Sequence, residues 1–251
     1  MDIYGIIGCP LGHSCSPRYF NEYFQNAGID AMYLRFEMKD IRELEKLLHE
    51  YPQLKGFNVT VPHKQNILPF LNEVSDEART VGAVNCVKIG YRNGRPFLSG
   101  YNTDTHGFRK ALMNFIPSGI CQALILGNGG AAKAVRYVLQ SLSMKVLTVS
   151  RTPRNPGEIS YADISTYLPE FRLIVNTTPL GTWPKTESYP DIPYKSLTPE
   201  HYLFDLVYNP AVTTFMQKGR ESGAHTCNGL AMWLGQAEKN REIWHIDETP
   251  E

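Results

Sequence analysis

Two residues mark out the chemistry open to this chain: a lysine, Lys64, and an aspartate, Asp104, each placed where a strand gives way to a helix. Lys64 closes the segment Asn58-Val59-Thr60-Val61-Pro62-His63-Lys64, a strand with Asn58 and Thr60 on one side, followed by a helix that Pro62 is expected to start. A cation in the first turn of a helix opposes the helix dipole, so a lysine there calls for a carboxylate partner. Asp104, in Tyr101-Asn102-Thr103-Asp104 at the head of another helix, offers one. The plainer alternative is that Asp104 only caps its helix. Such a pair suits alcohol oxidation, in which a hydroxyl loses its proton as hydride leaves the same carbon. A lysine tuned by its site and held by a carboxylate accepts or relays that proton. His63 and His106 read as core or solvent histidines, and no cluster of ligating residues calls for a metal.

Two other groupings could hold ligands. Ser14 and Ser16, in His13-Ser14-Cys15-Ser16-Pro17, put two hydroxyls at a helix N-terminus, a natural carboxylate cradle or simply a pair of helix caps. Gly127-Asn128-Gly129-Gly130-Ala131-Ala132 lies between an apolar strand and a helix. There glycine permits the sharp turn and lets a pyrophosphate approach the helix N-terminus. Alanine takes the place of the usual third glycine. About 20 residues further on, an NAD site carries an acidic residue for the ribose 2′-hydroxyl. This chain reads Ser150-Arg151-Thr152-Pro153-Arg154 instead. Arg151 offers a planar fork, and Thr152 a hydroxyl, to a 2′-phosphate, so the expected cofactor is NADP.

The elements that must carry these residues follow from periodicity. Ile3–Gly8, Met32–Met38 and Lys55–Val61 read as strands; helices are expected from Ser16, closed by Gly28, and from Asp40, with Ile41, Leu44, Leu47 and Leu48 on one face. Asn93-Gly94 joins Val84–Ile89 and Phe97–Tyr101 as a hairpin. After a helix over Thr103–Phe115 the pattern resets: strands at Gln122–Leu126, Lys145–Ser150, Leu173–Asn176 and Tyr202–Leu206, with a helix at Ala131–Leu142. Thr178–Pro199 is proline-rich and reads as a loop, and Gly229 to about Trp244 as the last helix. The expected fold class is α/β: an N-terminal α/β substrate domain with a mixed sheet, and a Rossmann-type doubly wound dinucleotide-binding domain.

The 251 residues are enough for two such domains, with 42% hydrophobic and 20% charged residues. Lysine plus arginine and aspartate plus glutamate number 25 each, leaving no basic field for nucleic acid or an anionic membrane. The N-terminus has no signal-peptide pattern, no apolar run spans a bilayer, and five unpatterned cysteines fit a reducing compartment, so a cytoplasmic protein is expected.

Taken together, the motifs resemble the shikimate dehydrogenase family over nearly the whole chain. The matching blocks run in the family's order: Gly12-His13-Ser14-Cys15-Ser16-Pro17, Asn58 to Lys64, Gly82-Ala83-Val84-Asn85, Gly100 to Asp104, the Gly127 turn and Ser150-Arg151-Thr152. Then come Asn176-Thr177-Thr178-Pro179-Leu180-Gly181, Asp205-Leu206-Val207-Tyr208-Asn209-Pro210, and Gly229 through Ala237. The resemblance implies a catalytic pair in Lys64 and Asp104. It implies a hold on the substrate carboxylate by Ser14, Ser16 and Tyr208, and ring-hydroxyl partners in Thr60, Asn85 and Gln236. For NADP it implies Gly127, Asn128, Gly129, Gly130 and Ala131 at the pyrophosphate, Ser150, Arg151 and Thr152 on the adenosine side, and Gly229 near the nicotinamide.

The implied reaction is reversible reduction of 3-dehydroshikimate to shikimate with NADPH, in a cleft between the domains that closes on substrate, by a monomer or homodimer. The resemblance also implies a substrate domain of residues 1–102 plus the C-terminal helix, about 230–251, and an NADP domain of 103–229. Ser150, Thr105, Thr182 and Asn228 depart from the family's frequent asparagine, glycine, methionine and aspartate, which bears on cofactor affinity and nicotinamide packing. The rivals are a quinate or dual quinate/shikimate dehydrogenase, a non-catalytic sensor of NADP or a metabolite, and, more distantly, a methylene-folate dehydrogenase.

Overall fold

The computed structural model describes residues 1–12 and 14–247; His13 and residues 248–251, part of the last segment assigned to the substrate domain, lie outside them. The chain forms two compact units, Met1–Thr103 with Glu238–Glu251, and Asp104–Ala237.

The first unit contains β1 (Asp2–Gly8), α1 (Ser16–Ala27), β2 (Ala31–Glu37), α2 (Leu44–Glu50), β3 (Leu54–Val59), β4 (Glu73–Val74), α3 (Asp76–Val81), β5 (Cys86–Arg92) and β6 (Arg95–Tyr101). Its six-stranded sheet has the order β2-β1-β3-β5-β6-β4. β1 runs parallel to β2 and β3, whereas β3/β5 and β5/β6 are antiparallel, so the sheet is mixed. The near-continuous apolar run of β1 fits its interior place, every residue after Asp2 being buried. β2, at the edge, keeps Arg35 and Glu37 exposed. Asn93 (φ 52°) and Gly94 (φ 74°) form the two-residue turn of the β5–β6 hairpin. Asp40 caps the start of this segment, in a capping box with Glu43, although the first turn there is a 3₁₀ helix and α2 follows it.

One expected helix is absent. Residues 60–67 form turns, and only Leu68–Phe70 is helical, as a 3₁₀ turn. A helix from Pro62 would meet Pro69 in its interior, where a missing N–H breaks the ladder. The Lys64 carbonyl instead accepts the Val84 N–H at 2.7 Å. Lys64 therefore does not stand in the first turn of a helix, and no dipole conflict arises there.

One face of this sheet packs Ile7, Phe57, Val59 and Val87 against Leu44 of α2 and Ala78 of α3. The other carries aromatic rings: Phe20 stacks on Tyr33 at 4.6 Å, and Tyr4 meets Trp244 at 5.1 Å. Trp244 occupies the space over Gly56, where an added Cβ would lie 2.3 Å from its Nε1, and that Nε1 donates to the Val87 carbonyl at 2.9 Å.

The second unit contains α4 (Asp104–Met113), β7 (Gln122–Leu126), α5 (Gly130–Ser141), β8 (Lys145–Val149), β9 (Glu158–Ile159), α6 (Ile164–Tyr167), β10 (Leu173–Asn176), β11 (Tyr202–Asp205), α7 (Thr214–Glu221) and β12 (His225–Cys227). The last helix, α8 (Leu230–Trp244), belongs to it as far as Ala237. All strand pairs are parallel, in the order β12-β11-β10-β7-β8-β9. Counted within the unit this is the doubly wound order 3-2-1-4-5-6, in which the strand order reverses between β7 and β10. β7 shows why both faces are covered: Ala123 and Ile125 join a core with α4 and α5, while Leu124 and Leu126 join one with α6 and α7. Among the described residues no helix is long and apolar enough to cross a membrane.

Candidate active site

In the first unit the predicted polar residues gather at the carboxyl ends of β1 and β3. Thr60 directly follows β3, and its N–H donates to the Ile7 carbonyl at 2.9 Å. Gly8 admits it: a Cβ on Gly8 would lie 2.4 Å from the Thr60 methyl. Asn85, just before β5, is 3% exposed and links three strands. Its N–H donates to Tyr101, and its carbonyl accepts from the Val59 N–H and Asn58 Nδ2. The side chain of Asn85 is turned by Thr103: Oδ1 accepts the Thr103 N–H at 2.6 Å and Nδ2 donates to Thr103 Oγ1 at 3.0 Å. Thr103 Oγ1 donates onward to Asn240 Oδ1 at 2.8 Å. The amide is thereby oriented with its N–H edge on the hydroxyl side. Lys64 is fixed through its backbone to Val84, the neighbour of Asn85.

The serine pair divides its tasks. Cys15, not Ser16, is the N-cap of α1; Ser16 is the first helical residue, with Pro17 behind it. Ser16 is buried and bonds the Tyr33 hydroxyl, which donates to Asn58 Oδ1 at 2.7 Å. Burial pushes the Tyr33 phenol well above its ordinary range. Ser14 is half-buried; its Oγ accepts the Ser16 N–H at 3.4 Å and its carbonyl accepts from Arg35 at 3.0 Å. A continuous hydrogen-bonded set, Ser16–Tyr33–Asn58–Asn85–Thr103–Asn240, therefore underlies this end of the sheet. Of its members only Ser16 and Asn85 were expected to act at a site. Tyr33, Asn58, Thr103 and Asn240 lie too far apart in sequence for spacing to join them. His63 is a core residue, its Nε2 2.7 Å from the Met38 carbonyl, and His106 is exposed.

In the second unit the glycine turn leaves β7 at the strand-order reversal. Gly127 has φ 102°, and a Cβ there would meet Thr177 Oγ1 at 2.9 Å, so only glycine fits. Gly129 is the N-cap of α5, with no side-chain cap and no acidic residue in the first turn, and a Cβ on it would meet nothing within 4 Å. An uncapped, open helix N-terminus at this place fits a pyrophosphate. At the end of β8, Ser150 Oγ accepts the Thr152 N–H at 3.3 Å, while Arg151 and Thr152 are exposed. Burial raises the Tyr161 phenol pKa, and the charge of Arg151 works against that rise. With no carboxylate at the strand end and two arginines in the following turn, the donor set matches a ribose 2′-phosphate.

Further along the same edge, Tyr208 packs on Trp233 with ring centroids 5.6 Å apart. Gly229 donates its N–H to the Val207 carbonyl, and a Cβ there would fall 2.1 Å from the Leu206 carbonyl oxygen. Asp104 is the first residue of α4 and 7% exposed; Gln236, on α8, is 8% exposed. Their helices meet glycine to glycine: a Cβ on Gly107 would lie 2.2 Å from the Met232 carbonyl oxygen, and one on Gly235 would lie 3.0 Å from Gly107 Cα. Asp205, which the sequence marks only as part of a block, ends β11 fully buried and accepts three hydrogen bonds. A charged residue closing an apolar strand was the available signal.

A family model, the shikimate dehydrogenase substrate binding domain, matches residues 6–87. The curated shikimate dehydrogenase (NADP(+)) of Clostridium beijerinckii is 37% identical over 256 residues, covering 97% of this chain and 92% of that protein. Among solved structures, shikimate dehydrogenase from Aquifex aeolicus aligns with a TM-score of 0.86 at 36% identity, covering 100% of this chain and 94% of its own. Shikimate 5-dehydrogenase from Thermus thermophilus, in complex with NADP(H) and shikimate, aligns with a TM-score of 0.83 at 30% identity, covering 100% and 95%.

Proposed function

Because this chain belongs to the shikimate dehydrogenase family, we propose that it catalyses the NADP-dependent, reversible oxidation of shikimate to 3-dehydroshikimate, run in the cell as the NADPH-dependent reduction within chorismate and aromatic amino-acid biosynthesis. The observation that carries the cofactor half is the pairing of an open, uncapped N-terminus on α5 with Arg151 and Thr152 at the end of β8. Gly127 through Ala131 hold the pyrophosphate, Ser150, Arg151 and Thr152 the adenosine side, and Gly229 admits the nicotinamide end. NADP, when bound, supplies the acceptor for hydride.

The chain's own residues bind, orient and move the proton. Ser14, Ser16 and Tyr208 hold the substrate carboxylate by hydroxyl donors. Thr60, Asn85 and Gln236 bond the ring hydroxyls, Asn85 with an amide edge that Thr103 has already oriented. Lys64 takes or relays the proton of the reacting hydroxyl, and Asp104 holds the lysine in place. Orientation by fixed hydrogen bonds contributes several kcal/mol to such a reaction.

NADPH formation by the purified protein, with shikimate or quinate against NADP or NAD, tests this directly. Fast turnover is expected only with shikimate and NADP. Comparable rates with quinate or NAD would overturn the specificity half, and NADP binding without turnover would move the assignment to a sensor. Lys64→Ala is expected to lose turnover while NADP affinity persists.

A further inference from the structure

Asp205 is fully buried at the end of β11, and its carboxylate accepts from both ends of one loop and from the neighbouring strand. Oδ1 accepts the Val207 N–H at 3.0 Å and Asn176 Nδ2 at 2.9 Å; Oδ2 accepts Thr213 Oγ1 at 2.6 Å. Val207 is the second residue of the loop 206–213, and Thr213 ends it as the N-cap of α7. Asn176 is the register partner of Asp205 at the end of β10, and its Oδ1 accepts both the N–H and the hydroxyl of Thr178. One carboxylate thus ties the start and finish of a loop to each other and to the end of the neighbouring strand. Tyr208 lies inside that loop, packed on Trp233.

We propose that Asp205 is a positioning residue for substrate binding, acting through Tyr208 by closing the 206–213 loop around its carboxylate. The proposal rests on the assignment of Tyr208 as a partner of the substrate carboxylate. Sheet stability alone does not explain an aspartate here. A buried carboxylate bears a large desolvation cost, and an apolar side chain at the end of β11 would avoid it. No cation offsets the charge: among the described residues none forms a salt bridge with Asp205. The cost is met by three donors, two of which stand at the start and finish of the loop and the third on the neighbouring strand. Other contacts fix the middle of the segment, with Trp183 donating to the Asn209 carbonyl and Asn228 to that of Ala211. Among the described residues it is the Asp205 carboxylate that accepts from both ends.

A double-mutant cycle separates positioning from a general role in folding. Shikimate Kd by calorimetry and shikimate KM are measured for Asp205→Ala, Tyr208→Phe and the double variant, with Asp205→Asn as the conservative control. Asp205→Asn keeps one acceptor oxygen for Val207 and Asn176 and turns an N–H toward Thr213, so binding within about threefold of wild type is expected. Asp205→Ala and Tyr208→Phe are each expected to weaken shikimate roughly 10- to 100-fold, and the double variant no more than the worse single one. Multiplicative defects in the double variant, with Tyr208→Phe itself impaired, would overturn the proposal and leave the Tyr208 assignment standing. Unchanged shikimate binding in Tyr208→Phe would overturn that assignment and the proposal with it. If Asp205→Ala does not fold, Thr213→Val, which removes a single loop-end donor, takes its place in the cycle with the same expected non-additivity.

Discussion

Gly107→Ala probes how the second unit sets Asp104 and Gln236. The substitution adds one methyl group on α4, a turn after Asp104, at a point that faces α8. The new Cβ would lie 2.2 Å from the Met232 carbonyl oxygen and 2.9 Å from the Gln236 N–H nitrogen, both backbone atoms that cannot rotate away. Ordinary contact begins near 3.4 Å, so α4 and α8 must part by roughly 1 Å. Two effects oppose each other. Alanine is the better helix former by about 1 kcal/mol, whereas overpacking a tight contact costs about 1–3 kcal/mol. The contact is with main chain on both sides, so a net loss of about 1–2 kcal/mol is expected. A 1 Å displacement of reacting groups costs about a hundredfold in rate. Urea unfolding followed by circular dichroism gives the first quantity, and kcat/KM for shikimate the second. NADP affinity, which the proposed function assigns to the Gly127 turn, is expected to hold. A variant more stable than wild type and fully active would refute the reasoning, since it would mean the helices do not meet as closely as described.

Other perturbations follow from the same structure. Tyr33→Phe removes the hydroxyl that donates to Asn58 Oδ1 and leaves a buried acceptor unsatisfied, an expected loss of about 1–3 kcal/mol by urea unfolding; an unchanged midpoint would contradict it. Trp244→Ala opens a cavity over Gly56 and removes the indole donor from the Val87 carbonyl, with an expected cost of about 3–5 kcal/mol and early proteolysis within residues 1–103. Burial pushes the Asp205 carboxyl up to about 6, outweighing the hydrogen bonds from Thr213, Val207 and Asn176 that lower it. A raised pKa means the folded state holds the proton more tightly than the unfolded one. Its contribution to stability is therefore complete below about pH 4 and lost as pH rises through about 6, on the order of 3 kcal/mol in all. Tyr194 and Cys227, the titratable neighbours that feel this charge, are themselves pushed up by burial and stay neutral in that window. Unfolding free energies at pH 5 and 7.5 are expected to differ less in Asp205→Asn than in wild type, and equal differences would argue against a raised pKa.

The second unit's central strands are legible in sequence because each is a short apolar run between turn residues. β7 and β10 fall where periodicity puts them, since a parallel strand buried on both faces has a continuous signature. α7 leaves a faint signature because only Phe215, Met216 and Gly219 of its eight residues are buried, and β12 is three residues long. The first unit shows the opposite failure. Pro62 reads as a helix start, yet Pro69 would cut such a helix short, and the position of Lys64 comes from a backbone bond to Val84 that no local pattern encodes. The glycine turn and the arginine after β8 are local motifs, so the chemistry proposed for them can be read in one dimension. The polar set running from Ser16 to Asn240 joins residues up to 137 positions apart, as Thr103 and Asn240 are, and only folding brings them together.

The division of α8 between the units has a consequence for biosynthesis. Residues 1–103 leave the ribosome first, yet Trp244 and Asn240, which complete their aromatic face and grip Thr103, come from the end of the chain. At about 5–20 residues per second, the intervening second unit takes on the order of ten seconds to synthesise. During that time the groove over Gly56 has no tryptophan to fill it. The nascent N-terminal segment can form its sheet but not its full core, so the unit translated first is the one finished last.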